Sequence, residues 1–193
     1  MLGLKLTTDP RWVNIVEKNV HEILTDHAFC EQKAASSAIS LMVRYPEESD
    51  LVKAMIKLAQ EELIHFKMVH QLICERGWVL GRERKDEYVR DLKQFFPKGG
   101  SRIDQLLNQL LYAALIEARS CERFRLLSES IVDIALQKFY KKLMISEAHH
   151  YSLFLKFAYQ YGKKKEVNEK WHALLDFESQ LMTKLGKKGT IHG

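Results

Sequence analysis

Apolar residues recur along this chain at steps of three and four, in runs too long for strands. Val20, Leu24, His27, Glu31, Ala34, Ala38 and Leu41 share one helical face, and Leu51, Met55, Leu58, Glu62, His65, Val69 and Ile73 share another. A third face carries Ile103, Leu106, Leu110, Ala113, Glu117, Phe124 and Leu127, and a fourth Leu136, Tyr140, Leu143, Glu147, His150, Phe154 and Phe157. That period belongs to helices that bury one side against neighbours. Punctuation falls between these runs: Asp9-Pro10 opens the first, Pro46 stops it, Gly77 closes the second, Pro97 and Gly99-Gly100 precede the third, and Gly162 ends the fourth. The pattern predicts bundle helices over residues 10–45 (with a candidate break near Thr25-Asp26), 47–76, 101–128 and 131–161, the last capped by Ser130. A short helix is expected from Asp86 to Phe95 and an accessory one over 164–185. The fold class expected is all-α: a four-helix bundle with a short connecting helix and an additional C-terminal helix, in one domain spanning 1–193.

Composition narrows this. The chain has 193 residues, 46% of them hydrophobic, with only 3 prolines and 9 glycines, too few breakers for a sandwich or barrel. Cys30, Cys74 and Cys121 form no CxxC, which argues against a disulfide framework, a zinc ribbon or an iron–sulfur site. Three reduced, buried thiols in a cytoplasmic protein are the expectation. No apolar run reaches membrane length and no signal peptide is visible, so no membrane partner is expected.

Each of the four apolar faces carries a glutamate in its middle: Glu31, Glu62, Glu117 and Glu147. Buried carboxylates without compensation cost several kcal/mol each, and the central turns of these faces contain no Lys or Arg. Metal cations resolve the conflict. Glu62-Leu63-Ile64-His65 and Glu147-Ala148-His149-His150 both read Glu-x-x-His, which sets carboxylate and imidazole on one side of a helix. Glu62 follows Glu31 by 31 positions and Glu147 follows Glu117 by 30, so one helical hairpin is used twice with equivalent ligands. A Glu from each of two helices and Glu-x-x-His from the other two is the ligand set of ferritin-like di-iron and di-manganese bundles. Glu31, Glu62, His65, Glu117, Glu147 and His150 are therefore the candidate ligands. Carboxylates with imidazole suit iron or manganese better than copper or zinc. A third match, Glu169 to His172, has no such partner and reads as surface, as do Glu61, Glu122 and His149. His27, one turn before Glu31, is a hydrogen-bonded core histidine or a support for that ligand. Three classes remain open: an oxygen-activating enzyme, a metal-redox enzyme (manganese catalase or peroxide scavenger), and an iron-oxidation or storage protein.

The runs ILTDHAFCEQKAASSAISLMVRYPE, LAQEELIHFKMVH, ALIEARSCERF and ISEAHHYSLFL, after LTTDPRW, resemble the bacterial tRNA 2-methylthio-N6-isopentenyladenosine hydroxylases, a ferritin-like di-iron family, over nearly the whole chain. The resemblance implies a non-haem di-iron monooxygenase. Its substrate would be the hypermodified adenosine 3′ of the tRNA anticodon, and its product would carry a hydroxyl on the isopentenyl side chain. The cofactor would be two iron ions, with O2 as co-substrate and an external reductant. By the same resemblance Glu31 and Glu117 would be terminal carboxylates, Glu62 and Glu147 terminal or bridging, and His65 and His150 would each bind one iron. Related oxygenases carry a hydroxylic residue one turn after the third-helix glutamate; this chain has Cys121 there. No flavin or iron–sulfur motif is present, so electrons would come from a separate reductase. A monomer is favoured.

Charge bears on the tRNA expectation. The formal net charge is +5. Residues 82–102 hold seven basic residues (Arg82, Arg84, Lys85, Arg90, Lys93, Lys98 and Arg102) against four acidic, and residues 163–193 hold seven (Lys163, Lys164, Lys165, Lys170, Lys184, Lys187 and Lys188) against four. Phosphate contacts are expected from both segments, with a merely solvated lysine-rich end as the alternative for the tail. Trp78, Tyr88 and Phe95 are expected to pack the connection onto the bundle, with base stacking as the alternative.

Overall fold

The computed structural model describes residues 2–185 and 188–192; Lys187, counted above with the basic tail, lies outside them. Among the described residues there are seven α-helices, one 3-10 turn and no strand. Helix α1 spans Trp12–Lys18, α2 Val20–Arg44, α3 Ser49–Glu75, α4 Glu87–Leu92, α5 Arg102–Ser130, α6 Ile134–Tyr161 and α7 Lys164–Leu185; the 3-10 turn is Lys93–Phe95.

Local chemistry sets most boundaries. Asp9 accepts the Arg11 N–H at 2.9 Å where the first helix starts. Gly77, at φ 72°, ends α3: its N–H donates to the Cys74 carbonyl at 2.9 Å and the Trp78 N–H to the Ile73 carbonyl at 3.1 Å. Those two bonds form a Schellman motif, whose left-handed position favours glycine. Ser101 and Asp104 form a reciprocal capping box at the start of α5.

Two expected boundaries move. The first predicted helix is continuous through Thr25-Asp26 and instead breaks at Asn19, whose φ −139° and ψ 37° leave the helical region. Ser130 does not cap the fourth helix. It is the last residue of α5, and Asp133 caps α6 by accepting the Ala135 and Leu136 N–H groups at 2.8 and 3.1 Å. Ser130 and Asp133 are both good caps in sequence, and the apolar Ile131 between them is 1% exposed.

The chain forms two compact units: Lys18–Lys85 with Gly189–Ile191, and Met1–Glu17 with Asp86–Lys188 and His192–Gly193. In the first, α2 and α3 pack as a hairpin through Leu24, Ala28, Ala38 and Leu41 on one side and Leu51, Met55, Leu58 and Ile73 on the other. In the second, α5 and α6 form the equivalent hairpin, with Phe124 and Tyr140 rings 5.2 Å apart in its core. Helix α4 packs on α7. The expected packing role of the connection's aromatics holds within each unit. Trp78 lies 5.0 Å from His21, Tyr88 is buried, and Phe95 sits 5.5 Å from Phe177. Among the described residues no helix is long and apolar enough to cross a membrane.

Candidate metal centre

In the first unit the α2–α3 hairpin brings together Glu31, Glu62 and His65, which are 4%, 0% and 5% exposed. One ligand atom from each lies within 4.8 Å of the others. His65 Nδ1 sits 3.2 Å from a Glu62 oxygen and 3.7 Å from a Glu31 oxygen. Burial by itself lowers the imidazole's pKa, but the hydrogen bonds and charges of Glu31 and Glu62 outweigh it and lift it to about 10. The proton thus held between two carboxylates is one that a bound metal ion displaces. His27, fully buried one turn before Glu31, meets the Glu31 carboxylate at 2.5 Å through Nε2 and fixes its orientation. A histidine in that position is the kind of outer support that holds a ligand in place.

In the second unit the α5–α6 hairpin does the same with Glu117, Glu147 and His150, each at most 5% exposed. Their ligand atoms also lie within 4.8 Å of one another, and His150 Nδ1 is 3.5 Å from Glu147. Two Glu/Glu/His trios, each buried on its own hairpin, are what the repeat predicts. Two carboxylates beside one imidazole remain net anionic even with the imidazole protonated. A bound cation would offset that charge. Oxygen-rich donors with one imidazole each fit iron or manganese.

The residues set aside as surface divide. Glu61, His149, Glu169 and His172 are exposed as expected. Glu122 is not: it is 1% exposed and sits in a buried ionic cluster missed by the sequence reading. Its carboxylate accepts from the Thr8 N–H at 3.0 Å, the Thr8 hydroxyl at 2.6 Å and Arg119 Nη1 at 3.0 Å. Arg119 also donates to Glu178 from Nε at 2.9 Å and Nη2 at 2.6 Å, and to the Leu6 carbonyl at 2.9 Å. The Tyr88 hydroxyl reaches the same Glu178 oxygen at 3.1 Å. Burial pushes the Glu178 carboxyl up and Arg119 offsets only part of that. The sequence did hold a signal: Leu111, Leu115 and Ala118 make α5 apolar beyond its bundle face, which marks a helix covered on several sides.

The expectation of three buried thiols is corrected. Cys121 is buried, Cys30 half-buried and Cys74 exposed, because the sulfur of Cys74 falls on the outer side of α3. Cys121 donates to the Met144 carbonyl at 3.3 Å, and burial together with the Glu147 charge pushes its thiol up to about 12. It is a neutral thiol at physiological pH. Native protein treated with a thiol reagent is expected to be labelled at Cys74 and to acquire label at Cys121 only after unfolding, as read by peptide mass spectrometry.

A family profile described as MiaE: tRNA-(MS[2]IO[6]A)-hydroxylase (MiaE) matches residues 2–193. The chain belongs to this family. Its relatives include a tRNA 2-(methylsulfanyl)-N(6)-isopentenyladenosine(37) hydroxylase of Pseudomonas putida, 37% identical over 83% of this chain and 77% of that protein. The protein of the same name from Salmonella typhimurium is 29% identical over 74% of this chain and 69% of its own length. Among solved structures, a protein from Synechococcus described as having aldehyde deformylating oxygenase activity superposes with a TM-score of 0.90 at 35% identity, covering 98% of this chain and 95% of its own. The fold is thus the all-α, ferritin-like one expected from sequence.

Proposed function

We propose that this chain is an O2-dependent, non-haem di-iron monooxygenase that hydroxylates the isopentenyl side chain of 2-methylthio-N6-isopentenyladenosine in tRNA, 3′ of the anticodon. The observation that carries the reading is the pair of buried Glu/Glu/His trios in a chain matched from residue 2 to 193 by a tRNA hydroxylase family. Glu31, Glu62, His65, Glu117, Glu147 and His150 would hold the two irons, with residues 1–193 working as one catalytic domain. Family membership does not favour a manganese catalase, peroxide scavenger or iron-storage protein.

The irons, when bound, supply the sites and electrons for O2 activation. One oxygen atom goes to the substrate carbon and the other leaves as water, consuming two electrons and two protons. The chain's own residues do the rest. The four carboxylates neutralise the cations, and His27 fixes Glu31 so that its orientation does not drift. Ala35, Ala38, Ala113 and Ala114 are small and buried on the helices that carry Glu31 and Glu117, which helps keep water from these helix faces. Cys121, where a hydroxylic residue stands in related oxygenases, keeps its proton on Sγ, directed to Met144. The electrons come from a separate reductase, and the enzyme works in the cytoplasm, where its substrate resides.

The test is product analysis. Iron-loaded protein, a reductant, O2 and tRNA bearing the isopentenyl modification are expected to give the hydroxylated nucleoside, read by mass spectrometry after digestion. An aldehyde substrate is run in parallel, since the Synechococcus relative carries that activity in its description. Unchanged tRNA from fully iron-loaded protein defeats the reading.

A further inference from the structure

We propose that the exposed face of α6 is the surface that grips the tRNA backbone, an inference that rests on the tRNA reading above. Lys138, Lys141, Lys142, Ile145, His149 and Lys156 are all exposed. At about 100° per residue these positions fall within about a third of the helix circumference. The opposite side buries Leu136, Leu143, Glu147 and His150. The single acidic residue of α6, Glu147, is 2% exposed, so the outer face presents cations and no carboxylate. Each of the other described α-helices brings at least one acidic side chain to solvent: Glu17, Glu22, Glu61, Glu87, Asp104 and Glu169 are examples, one per helix. Among the described residues no ion pair engages the four α6 lysines.

The segments expected from sequence to meet phosphate differ in this respect. Arg84 is paired with Glu22 at 2.9 Å, Arg90 with Asp91 at 2.7 Å, Lys163 with Glu166 at 3.1 Å, and Lys188 with Glu87. Lys93 lies over the Tyr112 ring at 5.6 Å. The tail is not solvated throughout: Ile191 is 0% and His192 4% exposed. Part of their positive charge is compensated within the fold and acidic residues are interspersed among the rest, whereas the outer face of α6 carries no carboxylate.

A row of uncompensated cations raises the local potential and favours a polyanion. From Lys138 to Lys156 the row runs about 27 Å along the helix axis, enough to follow several phosphates. The composition favours RNA over a protein partner. Lysine is depleted in the cores of protein interfaces and common at phosphates, and this face has no arginine or tryptophan anchor. The same rigid helix carries Glu147 and His150, so a backbone held at Lys142 is registered about 7–8 Å along the axis from Glu147.

The test uses full-length, iron-loaded protein with Lys138, Lys141 and Lys142 all changed to Gln, which keeps helix propensity. Changing Lys53, Lys57 and Lys67 on α3 to Gln removes the same charge elsewhere. The Kd for isopentenylated tRNA is measured against salt. The α6 variant is expected to bind at least about tenfold more weakly near 0.1 M salt, with a log–log salt slope shallower by about 2–3, while iron content stays at wild type. The α3 variant is expected to stay within about twofold of wild type. Wild-type affinity and slope in the α6 variant, or an equal loss in the α3 variant, would overturn the proposal. So would intact tRNA binding with slowed reductase-driven turnover and normal turnover on a chemical reductant, because the face would then serve an acidic reductase. If wild-type protein neither binds nor hydroxylates the tRNA, the functional reading itself fails and takes this surface with it; a wild-type protein active on tRNA beside an unaffected α6 variant removes the surface alone.

Discussion

A Glu117→Ala variant is expected to fold normally and to be catalytically dead. Glu117 sits 5% exposed, its carboxylate within 4.8 Å of ligand atoms of Glu147 and His150. Removing one of several crowded carboxylates relieves like-charge repulsion in the metal-free protein, so the melting temperature should hold or rise. Iron affinity and hydroxylation should fall by more than about a hundredfold, because even outer supports of a metal ligand cost ten- to a hundredfold when lost. Glu122, five positions on, makes the decisive contrast. It is tied to Thr8 and Arg119 and lies outside the trio, so Glu122→Ala should lose stability and keep its iron. Metal analysis and thermal unfolding of the two variants side by side check both halves. Full iron and full activity in Glu117→Ala would remove that residue from the ligand set.

Arg119→Met is expected to destabilise the protein by about 3–5 kcal/mol, the usual consequence of stripping one partner from a buried ion pair. Arg119 is 0% exposed and is shared between Glu122 and Glu178, with the Leu6 carbonyl as a further acceptor. Without it two buried carboxylates lose their counter-charge, and the N-terminal segment, α4 and α7 lose their common tie to α5. For a chain of this size the loss corresponds to a melting temperature lower by about 6–20 °C, read by calorimetry or circular dichroism. A change below about 1 kcal/mol would mean that the cluster is a passive ion pair. Glu178→Gln, which keeps hydrogen-bonding capacity while deleting the charge, should cost less than Arg119→Met.

The parts of this molecule that were legible in its sequence are those fixed by local geometry. Two residues that could share one ion on a helix lie at i and i+3 or i and i+4, so the candidate pairs Glu62–His65 and Glu147–His150 stand out. Equivalent hairpins repeat at near-equal spacing, which picks Glu31 and Glu117 as candidates from the other glutamates. Gly77 marks a helix end by its left-handed backbone, Ser101 by its cap, and Gly162 because a Cβ there would lie 2.5 Å from Val167. What stayed hidden depends on partners distant along the chain. Glu122 looks like a solvated charge until Thr8, 114 positions earlier, and Arg119 enclose it. Arg119 in turn needs Glu178, 59 positions later. The exposure of Cys74 turns on a few tens of degrees of helix rotation and the Asn19 break on one residue's backbone dihedrals, neither of which a pattern of apolar steps resolves. The α6 lysines are plain in the sequence, but their freedom from ion pairs depends on which acidic residues the fold brings near, and that is a property of the folded surface.

The most direct test of the account is the iron content of fully reconstituted wild-type protein. Purified chain loaded with ferrous iron without oxygen and stripped of loosely held metal is predicted to retain about two irons per chain, one for each Glu/Glu/His trio. Retention of a single iron, or of none, in protein shown to be folded would contradict the six-residue centre on which the proposed chemistry depends.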